Sequence, residues 1–219
     1  MRKIIICILC FSWSFSVAQF QEIKNQIAEV FFQIPVNSTR FEIRNILYSS
    51  DNFYNRIHWD EIGHTISSDF VYNSKLSYLC KPCKFDPEVT FFFKGNNEHS
   101  HERSIKLMYS SDQLAKCIKQ YGEIVSFFKN IAFWSEDTVE NYKGVKIGIR
   151  TVFFASKKAI FDERQAYEKF LKDKTDSHLT YCFFRVSYIE RDLYHVIPNP
   201  PTDRIVYVLS IDAFENAIY

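Results

Sequence analysis

Apolar residues recur along this chain with two different periods, and the order of those periods limits the fold more than any single motif does. Helical spacing comes first. Phe20, Ile23, Ile27, Val30, Phe31 and Ile34 fall three or four residues apart. This predicts an amphipathic helix over 20–34, ended by Pro35. Thr39 with Glu42 three residues on is a capping-box pattern, opening a second helix with Ile43, Ile46 and Leu47 inside. Strand-like segments follow. Thr65–Leu79 suits a strand or a hairpin turning at Asn73-Ser74. Val89–Lys94 and Ser104–Tyr109 read as strands joined through Gly95-Asn96-Asn97 into a hairpin. Residues 51–64 carry no clear period.

The second half repeats the alternation of types. Ser110 with Gln113 is another capping-box pattern, and Leu114, Cys117, Ile118, Tyr121, Val125 and Phe128 line one face of the helix it opens. Over Tyr142–Phe154, Val145, Ile147, Ile149, Thr151 and Phe153 share one strand face, with Lys146 and Arg150 on the other. Asp162 with Gln165 starts a short helix to about Lys172. Strands at 179–189 and 204–211 are joined across Pro198-Asn199-Pro200-Pro201, too short a link to separate domains. Helices followed by hairpins predict an α+β fold. The expectation is an antiparallel sheet covered on one side by the helices at 20–50 and 111–131. The stretch Arg103–Asp112 resembles Arg204–Asp212, each a strand running into Ser-x-Asp. Two organisations therefore stand: one domain over 19–219, or two similar helix-plus-strands lobes, 19–110 and 111–219.

The first eighteen residues read as an export signal. Arg2 and Lys3 precede an apolar run from Ile4 to Phe15, and Ser16-Val17-Ala18 supplies the small residues of a cleavage site. A membrane anchor needs about 20 apolar residues, and this run is shorter. The mature chain is expected to start at Gln19 in the periplasm or outside the cell, with no span after cleavage. Loss of Arg2 and Lys3 takes the formal charge from +1 to −1. A near-neutral chain with interspersed charges gives no reason to expect nucleic acid as a partner.

Cys80, Cys83, Cys117 and Cys182 remain after cleavage, and four cysteines allow three full pairings. Cys117 falls on a helical stripe and Cys182 in an expected strand, so both read as buried apolar filler. Cys80-Lys81-Pro82-Cys83 resembles the thioredoxin motif over these four residues alone. That resemblance implies a thiol–disulfide role, with the first cysteine at a helix N-terminus. No helix fits between Cys83 and Val89, and no proline follows Pro87 before Pro198. A structural disulfide or tight turn is the reading that fits.

The histidines are poorly spaced for one-element sites. His58 and His64, with Asp60 and Glu61 between them, do not form His-Glu-x-x-His, and they read as surface residues flanking a buried Trp59. They remain the candidate catalytic set, because distant acids and bases can converge in three dimensions. His99 and His101 could chelate metal from an extended loop, but a hairpin tip is normally solvated. No metal site and no cofactor is expected. Asn37-Ser38-Thr39 is a glycosylation sequon. No nucleophile elbow, Walker loop or dinucleotide fingerprint occurs. The expectation is an exported, non-catalytic protein that binds another protein or an envelope component. A secreted hydrolase with converging acids is the alternative, and a thiol–disulfide role for Cys80 and Cys83 the third reading.

Overall fold

The computed structural model describes residues 17–49, 57–59, 63–67, 88–93, 99–173, 181–192 and 205–218. Among them eight strands pair into a single antiparallel sheet. They are β1 (Ile57–Trp59), β2 (Gly63–Ser67), β3 (Glu88–Phe93), β4 (Ser100–Ser110), β5 (Trp134–Tyr142), β6 (Val145–Phe154), β7 (Phe184–Asp192) and β8 (Ile205–Phe214). Their order across the sheet is β1-β2-β3-β4-β8-β7-β6-β5. Two four-strand meanders therefore meet at the centre, where Ile105 stands opposite Ile211 and Leu107 opposite Leu209. The Ser-x-Asp shared by the two halves falls at unlike places: Ser110 ends β4, whereas Asp212 stands inside β8 opposite Ser104.

Three helices cover one face: α1 (residues 17–30), α2 (Arg40–Ser49) and α3 (Leu114–Lys129). The α1 stripe is as the spacing predicts, with Ile23, Ile27, Val30 and Phe31 buried. The helix ends before Pro35, because Phe32 and Gln33 take left-handed backbone at φ 63 and 62. Such residues cost roughly 1–2 kcal/mol each. Burial of Phe31, Phe32 and Ile34 holds them there. The capping box of α2 forms as read: Thr39 N–H donates to Glu42 at 2.8 Å and Glu42 N–H to Thr39 Oγ1 at 3.2 Å.

The other two helix starts differ from expectation. Ser110 is still extended and paired to Val206, so its hydroxyl donates to Asp112 and a 3-10 turn, Ser111–Gln113, precedes α3. The buried stripe of α3 takes in Gln120 and Ile124, while Ile118 is exposed. Helix α4 (Lys157–Asp173) begins five residues before Asp162, where Ser156 Oγ accepts the Ala159 N–H at 3.2 Å as its cap. Its Ala159 and Ile160 pack with Val152, Phe154 and Phe214. The strand pleat puts those three on the face opposite α3. Helices thus cover part of both faces, not one alone.

The main core lies between the sheet and α1–α3. Its densest point is Phe128 of α3, stacked on Phe184 at 3.6 Å between ring centroids and flanked by Phe153 and Phe183. A second fixed point is ionic. Arg103 of β4 is fully buried, and its Nε donates to Glu215 at 2.6 Å. Its other nitrogens donate to the carbonyls of Ile34 and Pro35, both at 2.7 Å. The second oxygen of Glu215 accepts the Asn37 N–H. One side chain thus ties β4, the loop after α1 and the 3-10 turn Glu215–Ile218 together.

Strand β5 has no counterpart in the sequence reading, which starts the strand region at Tyr142. It is an outer strand of mostly polar residues, so it carries little apolar period. It turns into β6 through Lys143 and Gly144, both left-handed (φ 51 and 81), between the paired Tyr142 and Val145. Two successive positive φ values define a type I′ hairpin turn, which matches strand twist.

Candidate functional site

Two polar features remain once the core is accounted for. The first is a network on the sheet face opposite α3, built from alternate residues of β4, β7 and β8. Asp212 accepts from Ser104 Oγ at 2.7 Å and from Arg185 Nε at 2.9 Å. Arg185 also lies over the Phe214 ring at 4.9 Å. Glu102 is a diagonal neighbour of Asp212 in the register, on the same face. Burial holds the Glu102 carboxyl above its ordinary value of 4.5; Asp212 adds to the rise and Arg185 opposes it. A carboxyl raised by folding loses stability as pH climbs from its ordinary range through the raised value. Glu102→Gln should therefore raise the melting temperature at pH 7.5 and leave it unchanged at pH 4. An equal effect at both pH values would remove the protonation argument.

The arrangement is a stitched network of hydrogen bonds across three strands. Both oxygens of Asp212 are engaged, one by the Ser104 hydroxyl and the other by Arg185 Nε. A hydrolase needs a nucleophile or water activated by a free base.

Only some of the residues singled out from sequence fall among the described ones. His58 lies in β1 opposite Thr65 and His64 in β2 opposite Trp59, so they occupy different registers of one hairpin. Asp60, Glu61, Cys80 and Cys83 lie outside the described residues. His99 is exposed, and its Nδ1 sits 2.7 Å from the Asn37 carbonyl, bridging toward Thr39. His101 is not on a hairpin tip: it belongs to β4, at the irregularity where Phe92 faces Glu102 and Phe93 faces Ser100. Among the described residues no three His, Cys, Asp or Glu are grouped to hold a metal ion. Cys117 and Cys182 are free and buried. Cys182 precedes β7 and is not inside it. Burial pushes both thiols up to about 12, so they stay protonated and unreactive near neutral pH.

The second feature is the outer edge formed by β5. Hydrogen bonds fix which way it faces. Tyr121 of α3 donates to Thr151 of β6, and Thr151 Oγ1 donates to Asp137 of β5 at 2.7 Å. Ser135, Asp137 and Val139 therefore share the α3 side, while Trp134, Glu136, Thr138 and Glu140 take the other. Phe133 N–H donates to Phe154 O at 2.9 Å and anchors the start of the strand. Large apolar side chains are exposed along its length and at its turn: Trp134 52%, Val139 48% and Tyr142 62%, with Val145 of β6 at 65%. The strand carries three acids and no base. It is nine residues long and closes one side of the sheet among the described residues. A long outer strand presents a row of unpaired N–H and C=O groups to solvent, which other extended chains can pair with.

Among the described residues no helix is long and apolar enough to cross a membrane. No protein-family model, no curated protein sequence and no solved structure matches this chain.

Proposed function

We propose that this chain is an exported, non-catalytic binding protein of the cell envelope whose recognition element is the β5 edge. The leader-like stretch Met1–Ala18 supports export. The single observation carrying the rest is the apolar and acidic strip on an outer strand. Trp134, Val139 and Tyr142 expose apolar area on a strand whose outer flank has no partner strand among the described residues, and Val145 of β6 adds to it beside Tyr142. Aromatic residues at such places are the usual anchors of interfaces. The engagement of both Asp212 oxygens by Ser104 and Arg185 favours a structural over a hydrolytic role for that network.

Capture from envelope extract on the immobilised mature protein tests this. Wild type and a control variant on another exposed position, Phe41→Glu of α2, should retain the same partner. The double variant Trp134→Glu/Tyr142→Glu should lose it by at least about tenfold, given truncation costs of 1–2 kcal/mol or more for aromatic anchors. Equal retention by all three, or none by any, overturns the reading. N-terminal sequencing of the cell-derived protein should start at Gln19; an intact Met1 overturns the export part.

A further inference from the structure

We infer that the β5 edge takes up an extended, basic segment of its partner as a ninth strand, in a pattern with basic residues four apart. This rests on the reading of β5 as the recognition element and specifies what it recognises.

The pleat and the charge pattern carry the argument together. Glu136 and Glu140 stand on one face of β5 with Thr138 between them, and Val139 stands on the other. A strand added alongside sets one residue directly opposite each of these. Opposite charges at facing positions contribute roughly 0.2–1 kcal/mol each, and like charges oppose pairing. The positions facing Glu136 and Glu140 therefore favour Lys or Arg. The position facing Val139 favours an apolar side chain. Read along an antiparallel partner, the pattern is basic, apolar, any, polar, basic. The polar position faces Asp137, already tied to Thr151 and 3.7 Å from Lys129 Nζ. Glu140 is shared with Arg150 at 2.8 Å, so Glu136 is the residue that selects most cleanly.

The same charges argue against a second copy of this chain as the occupant. Two β5 strands meeting about a two-fold axis at Thr138 would put Glu136 of each against Glu140 of the other. The irregularity between Glu140 and Asn141 ends regular pairing just beyond, limiting the length of any added strand.

The test uses fluorescence anisotropy with labelled synthetic peptides of β-forming residues and the mature protein. Three peptides share a Val at the apolar position and carry Lys, Thr or Glu at the two outer positions. The Lys peptide should bind saturably, weaken as salt rises, and lose binding when its backbone is N-methylated at alternate residues. Glu136→Lys, an exposed change, should keep the wild-type melting temperature, lower affinity for the Lys peptide about tenfold, and favour the Glu peptide. Equal binding of all three peptides overturns the charge pattern while leaving β5 as the recognition element. Absence of binding by every peptide overturns strand addition. If Trp134→Glu/Tyr142→Glu also leaves envelope capture unchanged, the reading of the edge falls with it. Sedimentation showing a wild-type dimer that Glu136→Lys dissociates would make a second copy the occupant and overturn the proposal.

Discussion

Arg103→Met lowers folding stability by about 3–5 kcal/mol, read as a fall in the urea midpoint with an unchanged slope. The reason is what remains behind. Glu215 is fully buried, and its carboxylate would keep only the Asn37 N–H. The Ile34 carbonyl would lose the Arg103 donor as well, whereas that of Pro35 would keep Ser38. A buried group stripped of its partner bears the desolvation cost without the compensating bond. Burial itself pulls the Arg103 guanidinium below its ordinary value and Glu215 opposes that, so each charge depends on the other. The double variant Arg103→Met/Glu215→Leu should recover a substantial part of the loss, because no lone charge is left. A loss under about 1 kcal/mol for Arg103→Met would mean the site is not closed to water.

Phe128→Ala is expected to cost about 3–5 kcal/mol, with a marked loss of near-ultraviolet circular dichroism. Phe128 touches rings from two strands and the segment before β7: it stacks on Phe184 and lies at 5.8 Å from Phe153 and 6.4 Å from Phe183. Removing it empties the point where α3 seats on the sheet. Phe128→Leu, which keeps most of the volume, should cost well under half as much. Similar losses for the two variants would show that ring stacking, and not filled volume, sets the energy.

Much of the fold is legible in the residues, for identifiable reasons. The α1 and α3 stripes are long and face a dry core, so their period is strong. The Thr39–Glu42 pair is local chemistry and forms as read. The identical-looking Ser110–Gln113 pair does not cap, because pairing of Ser110 with Val206, distant in sequence, holds it in β4. Helix α4 starts early because Ser156 offers a cap that the acidic Asp162 pattern hides. Arg103 reads in sequence as one more charged residue near a strand. Nothing local signals that Glu215 will meet it, since the pairing of β4 with β8 decides that. Strand β5 was illegible for the opposite reason. An outer strand of mostly polar, exposed residues buries neither face deeply, so little apolar period marks it.

The central seam of the sheet joins two strands separated by most of the second half of the chain. Every other strand lies earlier in the sequence than β8, so during synthesis the first meander must wait with β4 bare on one flank. Glu215 emerges after β8 itself, leaving the guanidinium of Arg103 without its anion until then. The molecule is therefore built like a clasp whose catch is made after both meanders. A chain halted before β8 would hold the other seven strands and still present an adhesive, unlocked half to its neighbours.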